Sequence, residues 1–541
     1  MRPLSRWIWP TLIFVVFCAL AALFDPVFQT NDDAALAMLG SGFGIASRPE
    51  PQLIFSNLLY GHLVGAASWV LSSTAHAWLT TLMLAGAAAT IMATAVQRSA
   101  DLVPVGLLAA VGICLTAIMN PQYTTTAAAL CVSAAVAANE YVATASRRWL
   151  AVALSLLLVS VILRWESAAM LAFAALPALM IGLLSSEGTY RNRTIKILSA
   201  GVALTVVVLA VDAISYAIDP TWKEVRSYLR VRALFNDFQS VPWVEGSDAY
   251  AKAGWSRNDY LLFKAWYARD PLFSFDNIKM IASAHAFHNS RSGLGLYLVR
   301  SWMILSTSSI ALLTVSLSLL ASIAAARASA RIYVVGGLLG AGGAFLLVFL
   351  GGRPPLERIS LSLIVFLAGL AYVLMLNSRP PLPVRRWAKV GLGATSAYLL
   401  ALNAMHASYD RSIAHEYTRA FAHVQRDLTD RTIVWGSAVD ANYLMSLWGN
   451  APFLSDRKFV GIGAATRAPY VDEILKTWGV TDFSRSLCTD RTISILARKD
   501  NIDLFQHFCR ARYNAGATYK LVAEKSPFKV WRLEGGLSPP G

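Results

Sequence analysis

Asp32 and Asp33 stand side by side just beyond the first apolar run of the chain, in the stretch Asp25-Pro-Val-Phe-Gln-Thr-Asn-Asp32-Asp33. Sugar or phosphoryl-acceptor chemistry needs a carboxylate within hydrogen-bond reach of the proton that the acceptor loses. A neighbouring like charge and lost solvation raise the pKa of one member of such a pair, making it a better base than a free carboxylate. The plainer role for the same residues is structural, with Asn31 or Asp32 capping the helix that Ala34-Ala-Leu-Ala-Met-Leu begins.

Other residues could complete such chemistry. Arg353 and Arg358 flank a Pro-Pro turn at the start of an apolar run. The planar guanidinium fork fits phosphate oxygens, and a helix N-terminus adds its own positive end. The alternative is that both arginines anchor the helix to lipid headgroups. Arg164, with Glu166 beside it to neutralise it, is a third cation of this kind. Asn31, His62, Gln122, Tyr123, Trp255 and Asp259 are polar or aromatic candidates for holding a sugar; for any single aromatic, an interfacial belt is the simpler role. Ser256-Arg-Asn-Asp259 also reads as a capping box. His285 and His288 lie one helical turn apart without a carboxylate pattern, so no metal site is predicted. There is no CxxC, GxGxxG or P-loop.

The chain that must position these residues has 541 of them, 56% hydrophobic and 15% charged. That excludes a water-soluble globule and predicts a polytopic α-helical membrane protein. The net charge of +15 is spread over short loops between apolar runs, which is the signature of membrane topology rather than of nucleic-acid binding. Trp7 to Phe24 reads as an uncleaved first span, although Ala19-Leu-Ala21 resembles a cleavage site. The basic loops at Arg98, Arg147-Arg148, Arg191 to Lys196, Arg327 to Arg331 and Arg379 to Arg386 belong in the cytoplasm. Spans then fit at 7–24, 77–96, 103–119, 122–144, 149–164, 167–186, 195–217, 292–322, 332–350, 357–377 and 388–405. Eleven crossings place the N-terminus in the cytoplasm and the C-terminal region outside. A twelfth at 53–71 would invert one end, so that run is read as an interfacial helix. The expected division is a membrane module over 1–405, with outer loops at 25–76 and 219–289, and an exported α/β domain over 406–541.

This arrangement resembles the GT-C superfamily of membrane glycosyltransferases, which take a sugar from a polyprenyl-phosphate donor. It looks most like the lipid A aminoarabinose transferases and the protein O-mannosyltransferases. The resemblance rests on Asn31-Asp32-Asp33-Ala34 opening the first outer loop, on Met38-Leu-Gly-Ser-Gly42 ending one juxtamembrane helix, and on Pro51-Gln-Leu-Ile beginning another. It covers roughly residues 1 to 220. It implies a bacterial inner-membrane enzyme with Asp32 as general base and Asp33 as orienting partner, or as ligand if a divalent cation is used. No other cofactor is expected. Arg353, Arg358 and Arg164 would meet the donor phosphate, and an envelope glycan, lipid or protein would be the acceptor. Where the family often has an Asp before Pro in the second outer turn, this chain has Asn120-Pro-Gln-Tyr, so a second acid is not expected there. A transporter or flippase of lipid-linked glycans would carry charges at mid-span, and the predicted span centres are nearly free of them, Asp212 being the main exception. A non-enzymatic protein of envelope assembly is the other alternative.

In the exported region, helices are expected at 405–428, 469–478 and 501–513, strands at 432–436 and 492–497, and a hairpin over 519–533. Cys488 and Cys509 lie in this region, and export would permit a disulfide between them. Cys18, Cys114 and Cys131 lie in apolar runs as packing residues.

Overall fold

The structure is a computed structural model that describes residues 5–185, 188–238, 242–244, 246–284, 298, 307–351, 356–377, 386–445, 447–448, 457–513 and 516–535. Among them, nine helices are long and apolar enough to cross a membrane, and the chain is a multi-pass membrane protein. Its helices are α1 (Ser5–Phe24), α2 (Asn31–Ser41), α3 (Leu58–Leu71), α4 (Ala75–Arg98), α5 (Val103–Ala110), α6 (Thr116–Met119), α7 (Tyr123–Thr144), α8 (Arg147–Ser185), α9 (Gly188–Ile218) and α10 (Pro220–Asn236). Three short helices follow, α11 (Ser247–Lys252), α12 (Arg257–Lys264) and α13 (Phe275–Ala284), and then α14 (Thr307–Ala326), α15 (Ala328–Leu350), α16 (Glu357–Leu376) and α17 (Arg386–Gln425).

The 39 residues of α8 are two helical segments joined at a kink. Trp149 Nε1 donates to Gln97 Oε1 near the end of α4, and Arg193, just beyond α8, donates to Val142 O near the end of α7. Arg98 and Glu140, 2.7 Å apart, tie those two helix ends together. Both ends of α8 thus lie at one end of the bundle, and the helix folds back at Arg164, whose φ and ψ of −160° and 91° are not helical. The expected count of eleven spans is not reproduced by length and apolarity alone. One helix holds the two spans 149–164 and 167–186. The run at 388–405 is the first half of α17, where Lys389, Ser396 and Asn403 lower its apolarity.

Leu58–Arg98 is a single apolar stretch of 41 residues. It is divided at Ser72, where φ is +49° and a 3-10 turn intervenes. At 14 residues, or about 21 Å, α3 is too short to cross the hydrocarbon by itself. Its expected start at Pro51 is corrected to Leu58. Asn57 caps it by accepting from Leu59 N, and Asp212 accepts from Leu58 N at 3.0 Å, so the first orphan amides are met only there. Asp212, the charge near the end of a span, is therefore a helix cap, and it also pairs with Arg226. Residues Ala34, Leu36, Ala37, Met38 and Leu39 of α2 are all buried, so this helix is enclosed rather than amphipathic. It ends where Gly42 adopts φ +75°, with Pro49 packed against its α-carbon.

The C-terminal region is a five-stranded sheet of order β2-β1-β3-β5-β4, built from β1 (Thr432–Trp435), β2 (Phe459–Ile462), β3 (Ser494–Leu496), β4 (Thr518–Lys525) and β5 (Phe528–Gly535). Both neighbours of β1 are parallel to it, while β5 runs antiparallel to β3 and to β4. Helices α18 (Pro469–Thr477), α19 (Phe483–Thr489) and α20 (Lys499–Tyr513) complete it. Sequence reading missed β2 and α19, which are four and seven residues long and carry little periodicity. Cys488 of α19 and Cys509 of α20 form a disulfide, their α-carbons 5.5 Å apart.

The sheet region is bonded to the first loop. Lys458 Nζ donates to Gly42 O and Ala46 O, Phe459 N to Gly44 O, and Asn442 Nδ2 to Phe28 O. Trp448 Nε1 donates to Ala21 O at the end of α1. It also meets the 219–289 segment, through Asn258 Nδ2 to Leu504 O and the hydroxyls of Tyr267 and Ser484.

Candidate functional site

The acidic pair sits in the first turn of α2. Thr30 occupies the N-cap position with extended φ and ψ, and neither Asn31 nor Asp32 caps the helix by its side chain. The carboxylates have different surroundings. Asp33 is 1% exposed; its Oδ1 accepts from Tyr123 N at 2.8 Å and its Oδ2 from Thr30 Oγ1 at 2.6 Å. His76 Nε2 lies 3.9 Å from Oδ1, a charge contact longer than a hydrogen bond. The other ring nitrogen of His76 is 2.8 Å from the Tyr60 hydroxyl, which sets Nε2 as the protonated atom when Tyr60 donates. Burial raises the Asp33 pKa above the usual aspartate value, and His76, Thr30 and the Tyr123 amide offset part of that rise.

Asp32 keeps 31% of its side chain accessible. Its Oδ2 accepts from Arg358 Nη1 at 3.1 Å and faces the Tyr123 hydroxyl at 3.5 Å. Arg358 opens α16, and its Nε and Nη2 make no hydrogen bond with any described residue. Arg164 lies over the Tyr123 ring, 5.3 Å from its centroid, and donates Nη1 to Phe55 O. Glu166 is exposed and pairs with Arg164 at 3.2 Å. Asp32, Asp33, Tyr123, Arg164 and Arg358 thus form one cluster where α2, α7, α8 and α16 meet.

Sequence reading missed Arg232 of α10. It is 5% exposed and stacked on Trp266, 4.5 Å from the ring centroid. Its Nε and Nη1 are buried without a hydrogen-bond partner among the described residues. Burial lowers its pKa, while the charges of Asp237, Tyr228 and Asp32 act the other way. A buried guanidinium with two nitrogens unmatched among the described residues is a costly feature that an anion would satisfy. Nothing in the periodicity of α10 marks it, because the signal is an arginine on a buried helix face.

The remaining candidates divide. Gln122 is a helix cap, its Oε1 accepting from Thr124 N and Thr125 N, and it also lines the cavity described next. The Asn31 amide is used in tying α2 to Val439 O and Asn442 N. His62 is exposed on α3 with no polar contact among the described residues. Trp255 is buried in an aromatic cluster with Tyr250, Phe263 and Phe273, its Nε1 bonded to Leu272 O. Asp259 closes the capping box with Ser256 and pairs with Arg512. Trp255 thus packs within the described part of the 219–289 segment, Asp259 ties that segment to Arg512 of α20, and neither bonds a residue of the cluster. Arg353, His285 and His288 lie outside the described residues. Asn120 is buried and bonded to Asn403 of α17.

A cavity of about 410 Å³ opens beside the cluster and is lined by Thr30, Gln122 and Arg358 from this side. Thr30 bonds Asp33 and Arg358 bonds Asp32, so the cavity reaches both carboxylates through one residue each. A second cavity of about 620 Å³ lies between α10 and the sheet region. Its arginines are already engaged, Arg269 with Thr466 O and Asp472, and Arg467 with three backbone carbonyls. Among the described residues, no group of three or more His, Cys, Asp or Glu side chains gathers as a metal site.

The chain is similar over 97% of its length to the crystal structure of ArnT from Cupriavidus metallidurans bound to undecaprenyl phosphate, at 12% identity and a TM-score of 0.44, and covers 97% of that chain. It is also similar over 96% of its length to the apo form of the same protein, at 11% identity and a TM-score of 0.41, covering 97% of that chain. No protein-family model matches the sequence, and no curated protein matches it at a significant level.

Proposed function

We propose that this protein transfers a sugar from a polyprenyl-phosphate-linked donor to an acceptor of the cell envelope. The reaction would take place at the outer face of a bacterial cytoplasmic membrane, with the N-terminus inside and the sheet region outside. The observation that carries this reading is the division of labour within the acidic pair. Asp33 is buried and held by Tyr123 and Thr30, while Asp32 is accessible and paired with Arg358, with Arg164 over the neighbouring Tyr123 ring.

In this mechanism the acceptor hydroxyl or amine loses its proton to Asp32 as its oxygen or nitrogen bonds to the anomeric carbon. The anomeric carbon–oxygen bond breaks, and its electron pair leaves on the lipid phosphate. Arg358 spends one nitrogen on Asp32 and has two others for that phosphate, and Arg232 would bring two nitrogens that are unmatched among the described residues. Fixed cations in a site shielded from water stabilise a leaving anion strongly. A phosphate that draws Arg358 towards itself also loosens its grip on Asp32, so donor binding would free the base. Asp33 acts as a positioning residue. Both of its oxygens accept from N–H or O–H donors, Tyr123 N and Thr30 Oγ1, which fixes the carboxylate beside Asp32.

The test is transfer of labelled sugar from polyprenyl-phosphate donors in proteoliposomes, with binding of undecaprenyl phosphate measured in parallel. Asp32→Asn should lower transfer by about 10²–10⁴-fold, the usual contribution of a general base, with lipid binding retained. Arg358→Ala should weaken lipid binding itself. Unchanged transfer in Asp32→Asn removes the base assignment. Lipid translocation without transfer in the wild type replaces the enzyme reading with that of a flippase.

A further inference from the structure

The far wall of the 410 Å³ cavity is built by α17 and the segment that follows β1, and no role in the chemistry above uses it. His406 and Asp410 stand one turn apart on α17, with Nε2 and Oδ2 3.3 Å from each other. Tyr443 stands beside them, its ring 5.7 Å from that of Tyr417, and Phe28 and Gln29 close the wall from the first loop. The Tyr443 hydroxyl, the Gln29 side-chain amide and the second ring nitrogen of His406 make no hydrogen bond with any described residue. The wall therefore presents donors and acceptors beside the aromatic ring of Tyr443.

We propose that this cavity is a sugar subsite, in which the His406–Asp410 pair, Tyr443 and Gln29 hydrogen-bond the hydroxyls of a pyranose. A sugar hydroxyl both donates and accepts. A carboxylate that only accepts, an amide that does both and a phenol that does either can engage successive hydroxyls of one ring. Tyr443 supplies apolar surface for the ring's C–H faces. The volume lies within the range of roughly 300–1,000 Å³ typical of small-molecule pockets. Arg358 lies on the opposite wall, so a ring held here sits within one side chain of Asp32. The proposal rests on the transferase reading in one respect, that the ring belongs either to the donor or to the acceptor.

The experiment compares wild type with Asp410→Asn, His406→Gln and Tyr443→Phe, using three probes: undecaprenyl phosphate, undecaprenyl phosphate carrying a neutral hexose, and free methyl hexosides followed by saturation-transfer NMR. If the ring is the donor's, the hexose tightens lipid binding to the wild type by about tenfold, and the variants lose that gain while binding the bare lipid unchanged. If it is the acceptor's, the two lipids bind alike, and the methyl hexosides give a signal with the wild type that the variants lose. Variants that match the wild type on every probe, or that lose both lipids in parallel, overturn the proposal. Tyr443→Phe keeps the aromatic ring and removes one hydroxyl, so it decides the matter even if the α17 variants fail to fold. A wild type that does not bind undecaprenyl phosphate defeats the transferase reading alone, because the hexoside arm still tests the cavity.

Discussion

Two neighbouring aspartates differ because of what surrounds them. Asp33 is enclosed and engaged at both oxygens, while Asp32 keeps one face to solvent and one to Arg358. Burial raises the Asp33 pKa and His76 pulls it back, which fixes the sign of a pH experiment. Removing the His76 contact by His76→Gln raises the Asp33 pKa further, so the carboxyl stays protonated to a higher pH. Because the ionised Asp33 accepts from Tyr123 N and Thr30 Oγ1 and so positions the site, the acid limb of the transfer rate should move to higher pH, while the rate on its plateau changes less. A rate profile measured from about pH 4 to 9, spanning the range in which such limbs appear, checks this, and an unmoved limb detaches Asp33 from the reaction. The pair was legible in the sequence because two carboxylates beside an apolar run are unusual. Arg232 and the His406–Asp410 pair were not, since the burial of the one and the place of the other on the cavity wall arise only from contacts across many residues.

At the scale of elements, the bundle depends on glycines where helices cross closely. In α15 a Cβ at Gly340 would run into the Ala174 carbonyl of α8, whereas one at Gly342 would meet nothing within 4 Å. Gly340→Ala should cost roughly 1–3 kcal/mol through overpacking, and Gly342→Ala should leave stability unchanged or raise it slightly. Thermal unfolding of both variants in detergent separates the cases, and equal midpoints would place the crossing elsewhere. Most long helices were readable from apolar runs and basic loops, and Arg164-Trp-Glu166 was readable as a turn. That turn lies inside one long helix, where the backbone angles of Arg164 and the hydrogen bonds at either end reveal it. The start of α3 was misread by several residues because its cap is assembled from Asn57 and the distant Asp212, which no local pattern announces.

At the scale of the whole molecule, the Cys488–Cys509 link closes a loop with a sequence separation of 21 residues. For a loop of that size the chain-entropy estimate is about 3 kcal/mol, so Cys488→Ala should lower the stability of the sheet region by about that amount and leave the helical bundle's midpoint in place. Two-transition unfolding monitored with and without reductant tests it; a single unchanged transition would show that the link contributes nothing. The presence of an α/β region was readable from its alternating segments, but not how it docks, because Lys458, Asn442 and Trp448 bind backbone carbonyls that could belong to any loop. Helix α17 joins the two parts without a break over 40 residues, or about 60 Å. It acts mechanically as a shaft: Asn403 touches the bundle, His406 and Asp410 face the cavity, and Tyr417 holds the Asp440 backbone near the sheet. A shaft transmits rotation, so turning the sheet region about this axis also turns the cavity wall. A ligand that turned one end would change the affinity at the other, and by reciprocity the converse would hold by the same factor.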